Sequence, residues 1–149
     1  MKKICIATST GGHLKEVLQL KKFYSKYEHY FVTMKRPDGI DLAKREKVYF
    51  VECPSRNIIK TLDNFSQSYT VFVKEKPDLI ISAGADTALA TCIIGKLFGK
   101  KVIYIESFCR PTKPSVTGRI LYFFADLFIY QWKEVGKYYP SGKYGGSIF

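Results

Sequence analysis

Short apolar runs alternating with amphipathic segments predict an α/β fold, with a parallel sheet covered by helices on both faces. Two further observations support that class. The strand-like runs, such as Ile4–Thr8, Leu79–Ser82 and Val102–Ile105, are continuously apolar rather than alternating, as expected of strands buried on both sides. Glycine turns follow two of them, "TSTGGH" at Thr8–His13 and "SAGADT" at Ser82–Thr87.

Taken in order, Ile4–Thr8 is the first strand. Leu14, Val17, Leu18, Leu20 and Tyr24 then fall at offsets of three and four, a helical stripe. His29–Met34 is the second strand, and a short helix covers Ile40–Glu46 with Asp38 as its cap. Val48–Cys53 is the third strand, stopped by Pro54. Asn57–Lys76 is a long amphipathic helix that Pro77 ends. After the fourth strand, Leu79–Ser82, the segment Ala88–Phe98 is apolar nearly all round and predicts a buried helix, capped by Asp86 or Thr87 and stopped by Gly99. Val102–Ile105 is the fifth strand. A proline-containing loop leads to a last helix from about Val116, and the end, "KYGGSIF", adds a short strand or a docking tail. The chain, residues 1–149, reads as one domain without repeats or linkers.

Composition narrows the function classes. The net charge of +11 predicts an anionic partner: nucleic acid, phospholipid headgroups or a phosphorylated substrate. The aromatics fall inside the apolar helices and strands rather than between basic residues, which argues against a nucleic-acid platform. Cys5, Cys53, Cys92 and Cys109 are scattered, so buried reduced thiols fit better than a disulfide framework. With only His13 and His29, a Cys/His metal site is not expected. Met-Lys-Lys followed by a very short apolar run reads as the first buried strand, not a signal peptide. The most apolar stretch, "ILYFFADLFIY" at Ile120–Tyr130, is too short to span a bilayer and carries Asp126 in its middle.

In sheets of this kind ligands bind beyond the carboxyl ends of the strands, at the point where strand order reverses. Four loops gather there: Ser9–His13, Lys35–Asp38, Ala83–Asp86 and Glu106–Arg110. The glycines of the first let the backbone approach an anion, and the following helix start presents free amides. The loop lacks the third glycine of a dinucleotide fingerprint. Lys35-Arg36 stands where an acid would serve a ribose, and no P-loop pattern occurs. His13 is either a general base or a clamp on the anion. The glycine turn around Gly84 holds the other end of the same ligand or caps the buried helix. Arg110 can grip phosphate in a bidentate manner. Glu106 is a base or, as the safer expectation, the structural partner of Arg110.

On the last helix Leu121, Phe124, Ala125 and Phe128 make one apolar row, and Ile120, Phe123 and Leu127 a second. The second row needs a cover: core, a partner, or the headgroup boundary of a bilayer. Arg119, Lys113, Lys133, Lys137 and Trp132 favour the bilayer.

The segments "STGGHLKEVLQL", "PDLIISAGADTALATCIIGKLFGKKVIYIESFCR", "GRILYFFADLFIYQW" and "YGGSIF" together resemble the Alg14 family, from the first strand to the last residue. "YIESFCR" and "ADLFIYQW" are the most specific parts. The resemblance implies a Rossmann-like domain equivalent to the N-terminal, acceptor-side half of a two-domain GT-B glycosyltransferase, of the type that makes peptidoglycan lipid intermediates. Bacterial members of the family act in capsular and exopolysaccharide synthesis.

A separate Alg13-like chain would supply the catalytic half and bind most of the UDP-sugar donor, so no cofactor is expected in this chain. Thr10, Gly11, Gly12 and His13, with Gly84 and Arg110, would hold the diphosphate of a polyprenyl-linked sugar acceptor. Glu106, Asp86, Lys35 and Arg36 would support them. Ile120, Phe123, Phe124, Leu127, Phe128 and Trp132 would meet the membrane, and Ile148 and Phe149 the partner. Eukaryotic members carry an N-terminal membrane helix. This chain starts at its first strand, so a peripheral position on the cytoplasmic face of the plasma membrane is expected. The rival readings are a stand-alone nucleotide-binding protein and a nucleic-acid-binding module.

Overall fold

A computed structural model of the chain describes residues 2–149. Its elements are β1 (Lys3–Ala7), α1 (Gly12–Leu18), α2 (Lys21–Tyr24), β2 (Glu28–Thr33), α3 (Pro37–Leu42), β3 (Val48–Phe50), α4 (Ile58–Glu75), β4 (Leu79–Ser82), α5 (Asp86–Leu97), β5 (Lys101–Ile105), α6 (Val116–Leu121) and β6 (Leu127–Tyr130). A 3₁₀ helix, Lys133–Tyr138, and β7 (Lys143–Tyr144) complete the chain. All strand pairs are parallel, and the order is β3-β2-β1-β4-β5-β6-β7. The reversal lies between β1 and β4, paired Ile4 to Leu79 through Ala7 to Ser82. The carboxyl ends of β1 and β4 therefore open side by side.

Two apolar layers sandwich the sheet. One gathers Cys5, Tyr30, Ile80, Val102 and Phe128 under α4 and α5; the other gathers Ile4, Ile6, Val17, Phe31 and Ile81 under α1 and α2. Helix α5 lies so close to the sheet that a Cβ on Gly95 would fall 1.9 Å from Ile80 Cδ1. Helix α4 starts on Asn57, whose side chain accepts from the amides of Ile59 and Lys60, and ends on Lys76 in the left-handed conformation. At the amino edge of the sheet Glu75 gathers Lys3, Lys47 and the Tyr49 hydroxyl. Burial alone would raise its pKa, but these partners hold it at about 2.

Three expectations are corrected. The stripe from Leu14 to Tyr24 is two short helices, broken at Gln19–Leu20. Asp38 is not a cap: Arg36 holds that position, and the Asp38 carboxylate turns to the glycine loop instead. The largest change concerns the last helix, which stops at Leu121. The chain then turns and enters the sheet as β6, pairing Ile103 with Leu127, Tyr104 with Phe128 and Ile105 with Ile129. Asp126 fixes the switch. Its backbone N–H donates to Val102 O, and its carboxylate takes the Val102 N–H at 2.9 Å with Lys96 and Lys101 alongside. Burial would raise the pKa of this acid, yet Lys96, the Val102 amide and Lys101 lower it to about 2.

The physical reason is that an unbroken run of aromatic and β-branched residues suits a buried strand as well as a helix. The open edge of β5 decides between them. Phe128, expected at the membrane, is 4% exposed and packs on Tyr104 and Tyr139.

Candidate functional site

A cleft of about 280 Å³ opens at the carboxyl edge of the sheet, beside the strand reversal. His13, Asp86, Tyr104, Ser107, Cys109, Arg110 and Ser115–Thr117 line it. A glycine in the turn after β4 lets the loops come this close. Gly84, at φ +98°, would place a Cβ 3.2 Å from the Tyr104 hydroxyl and 3.3 Å from the His13 ring, so a side chain there would press on both.

His13 stands at the second position of α1. Its Nδ1 lies 2.8 Å from Ala83 O. A carbonyl oxygen only accepts, so Nδ1 carries the proton and Nε2 is left as the basic nitrogen. That tautomer suits a base that takes a proton from a hydroxyl in the cleft.

The glycine loop is partly occupied from within. The Gly11 N–H donates to Asp38 Oδ2 at 2.6 Å, Thr8 N to Val32 O and Ser9 N to Gly84 O. Among the described residues, no protein acceptor meets the amides of Gly12 and His13. Gly11, at φ +74°, and Gly12 have open space where a Cβ would be, so the loop faces solvent rather than the cleft floor. Thr10 is half-buried beside them.

Glu106 departs most from expectation. It does not pair with Arg110, which is exposed on the cleft wall. Fully buried, its Oε1 accepts from Ser107 N at 3.0 Å and Ser115 Oγ at 2.7 Å; its Oε2 accepts from Ser115 N at 3.2 Å and from the Tyr139 hydroxyl. Such saturation makes it the framework of the cleft rim rather than a base. Burial and the Glu106 charge push the Tyr139 pKa up.

Asp86 accepts from Thr87 N at 2.9 Å and from Ser55 N at 3.2 Å, tying the loop before α4 to the cleft. Lys35 and Arg36 lie outside, on a separate depression with Glu52, Cys53 and Lys60.

Sequence reasoning missed Glu16, Ser107 and Gln131. Glu16 is 1% exposed on α1 and receives Ser107 Oγ, the Phe108 N–H and Gln131 Nε2. Burial raises its pKa, and the Phe108 amide, the Ser107 hydroxyl, the nearby His13 ring and Gln131 oppose the rise. Its place in "HLKEVL", on the apolar stripe between Leu14 and Val17, is a signal that was available. Among the described residues no group of three or more His, Cys, Asp or Glu side chains is gathered as a metal would require.

The expected membrane surface is reduced. Phe123 is 83% exposed and Phe124 and Ile120 lie at the surface, but Leu127 is half-buried and Phe128 is core. Trp132 is half-buried, donating its indole N–H to Phe108 O at 2.7 Å. A second apolar exposure, also missed, is the first turns of α4, where Ile58, Ile59 and Leu62 face solvent. No helix among the described residues is long and apolar enough to cross a membrane.

The family model described as "Oligosaccharide biosynthesis protein Alg14 like" matches residues 51–148. The chain belongs to the Alg14-like family. Among curated proteins it is 30% identical to the human UDP-N-acetylglucosamine transferase subunit ALG14, over 97% of this chain and 82% of the human one. The subunit of the same description from Yarrowia lipolytica is 28% identical, over 98% and 81%. Family membership makes the chain an Alg14-like glycosyltransferase subunit.

Among solved structures, MurG of Acinetobacter baumannii superposes with a TM-score of 0.72 at 16% identity, covering 91% of this chain and 43% of MurG. S. aureus MnaA, in a co-structure with UDP, gives 0.73 at 20% identity, covering 95% and 42%. The Alg14-like chain thus spans less than half of these proteins, and its Rossmann-like sheet is half of a GT-B fold.

Proposed function

We propose that this chain is the acceptor-side, membrane-associated subunit of a two-component UDP-sugar glycosyltransferase acting in polysaccharide or lipid-linked oligosaccharide synthesis. The observation that carries the reading is the cleft at the strand reversal, which His13, with Nε2 free, and Arg110 both line. Membership of the Alg14-like family and the likeness to half of a GT-B protein support it.

In this reading a polyprenyl-diphosphate-linked sugar enters the cleft. Thr10, the amides of Gly12 and His13, and the Arg110 guanidinium meet its diphosphate, with Gly11 and Gly84 giving the backbone room and Asp86 holding the rim. The sugar hydroxyl attacks the anomeric carbon of the UDP-sugar, His13 Nε2 takes its proton, the bond to UDP breaks and the anomeric centre inverts. An Alg13-like partner binds the donor and docks at Ile148 and Phe149. This transfer needs no cofactor in the Alg14-like chain.

The net charge of +11 and the exposed Ile120, Phe123 and Phe124 suit a peripheral position on an anionic membrane, at the cytoplasmic face of the plasma membrane. Lys35 and Arg36, away from the cleft, would then meet headgroups rather than the diphosphate. Ile58, Ile59 and Leu62 give a second apolar exposure for the same purpose.

The test is reconstitution with an Alg13-like chain, UDP-GlcNAc as the first donor, and a prenyl-diphosphate-linked monosaccharide as acceptor. Transfer is expected only with both chains present, and is lost in His13→Ala while partner binding persists. Tight UDP-GlcNAc binding by the isolated chain, or wild-type transfer by His13→Ala, refutes the reading.

A further inference from the structure

Glu16 and Gln131 have no part in the transfer chemistry, yet both are buried and all their polar atoms are engaged. Glu16 follows His13 by one helical turn on α1, so the two side chains share a face. Its Oε1 accepts from Ser107 Oγ at 3.0 Å and Phe108 N at 3.2 Å. One carboxylate thereby fastens the helix that carries His13 to the loop that carries Arg110, both of which line the cleft.

Gln131, 4% exposed and just after β6, is used at both ends of its amide. Nε2 donates to Glu16 Oε2 at 3.1 Å and to Glu106 O at 3.0 Å; Oε1 accepts from Ile148 N at 2.9 Å. The partners leave no freedom to flip it, because carboxylate and carbonyl oxygens only accept and a backbone N–H only donates. The tail touches the same loop a second time. The Phe149 ring meets Phe108 edge-on at 5.3 Å, and Trp132 packs on Phe108 at 5.0 Å.

We infer that Gln131 is a positioning residue that couples the docked C-terminal tail to the spacing of the His13 helix and the Arg110 loop. Through Ile148 N, Gln131, Glu16 and Phe108, whatever takes hold of Ile148 and Phe149 acts on Arg110 and His13 without touching the acceptor. Phe149 is 60% exposed and so available to be held. The inference rests on the reading of the cleft as acceptor site and of the tail as partner contact. The linkage itself is measurable in the chain alone.

The experiment is hydrogen exchange of the full chain against three variants: removal of Ile148 and Phe149, Gln131→Leu and Gln131→Glu. Tail removal and Gln131→Leu are each expected to speed exchange at Phe108 and Cys109 at least tenfold, while the amides of β1 and β4 stay protected. The chain has one tryptophan, Trp132, and its emission should shift in step.

In the reconstituted pair, Gln131→Leu should raise the KM for a prenyl-diphosphate-linked monosaccharide about tenfold, the scale of one lost buried hydrogen bond to a charge. The KM for UDP-GlcNAc should stay unchanged. Gln131→Glu sets a second acid against Glu16, with His13 one turn away on α1, Glu106 behind it and Tyr139 bound to Glu106 from the 3₁₀ helix. A protonated carboxyl keeps one donor and one acceptor, so this variant should recover protection and acceptor KM as pH falls from 8 to 6, while Gln131→Leu should not.

Wild-type exchange at Phe108 and Cys109 after tail removal overturns the inference, whatever the Gln131 variants do. Faster exchange with an unchanged acceptor KM upholds the linkage and instead refutes the placement of the acceptor in this cleft.

Discussion

Replacing Glu106 by glutamine separates a structural carboxylate from a chemical one. The side chain is fully buried and receives four donors, two on each oxygen. Glutamine keeps one oxygen, enough for Ser107 N and Ser115 Oγ. Its NH₂ group then faces the Ser115 N–H, which cannot turn away, and the Tyr139 hydroxyl, which can rotate to accept. The stranded amide costs about 1 to 3 kcal/mol, and turning the remaining charge-assisted bonds into neutral ones costs about 1 kcal/mol each. Removing a buried charge returns about 1 to 2 kcal/mol of desolvation, leaving a net loss of about 3 kcal/mol. Urea unfolding of the wild type and the variant measures it directly, and a thermal scan should drop by about 6 to 12 °C. Tyr139→Phe, which removes one of the four donors, should couple to Glu106→Gln in a double-mutant cycle. A loss below about 1 kcal/mol refutes the framework role. A fully stable Glu106→Gln that no longer transfers sugar would make Glu106 a chemical group instead.

Glu75, ordinarily near 4.5, is held at about 2 by Lys47, Tyr49 and Lys3 against its own burial. A depressed acid stabilises the fold above its unfolded pKa, so this contribution is complete above pH 4.5 and is lost as pH falls toward 2. With Lys47 half-exposed, Glu75→Gln should lower stability at pH 7 by about 2 to 3 kcal/mol, and unfolding curves between pH 4.5 and 2 should flatten. Equal pH slopes in the two proteins would exclude the ion cluster as the cause. Phe128→Ser should lose about 3 to 5 kcal/mol on chemical denaturation, as a core aromatic does, whereas Phe123→Ser should stay within about 0.5 kcal/mol. Vesicle co-sedimentation with anionic lipid should respond to Phe123→Ser and Phe124→Ser; retention of both variants on vesicles would remove the turn after α6 from the membrane surface. Gly84→Ala is expected to lower transfer by disturbing His13, since φ of +98° and the His13 ring at 3.3 Å both oppose a Cβ. Normal transfer in Gly84→Ala would show that the His13 ring tolerates displacement.

How much of this was legible in the sequence depended on whether a signal was local. β4 was legible to the residue, and α4 nearly so, because Asn57 caps it and Pro77 follows it. The gathering of His13, Asp86 and Arg110 followed from topology alone, since every strand presents its carboxyl end to the same edge. β6 was not legible. The offsets of Leu121, Phe124, Ala125 and Phe128 fit a helix, and only the pairing with β5 and the anchoring of Asp126 on Val102 make the segment a strand. Glu106 looked like a partner for Arg110 because both lie just past the fifth strand. Its true partners, Ser115 and Tyr139, come from distant turns that no local pattern connects. Gln131 was hidden for the same reason: its partners are 17, 25 and 115 residues away.

The glycine loop that first marks the chain as an anion binder offers less than its sequence promises. The helix it opens has only seven residues, and the Gly11 amide already faces the Asp38 carboxylate. A helix end of that length, with the Asp38 carboxylate already taking the amide of its N-cap Gly11 at 2.6 Å, attracts an anion weakly. If the cleft holds a diphosphate as proposed, its positive charge must therefore come from a side chain that lines it. Arg110 is the basic residue that lines it, while Lys35 and Arg36 lie on another depression. Arg110 sits on a loop, and a loop cation is only as useful as the loop is fixed. The buried Glu16, holding the Phe108 amide two residues before Arg110, fixes it to the helix of His13. The buried Glu16 and Gln131 thus set how the helix of His13 and the loop of Arg110 sit relative to each other.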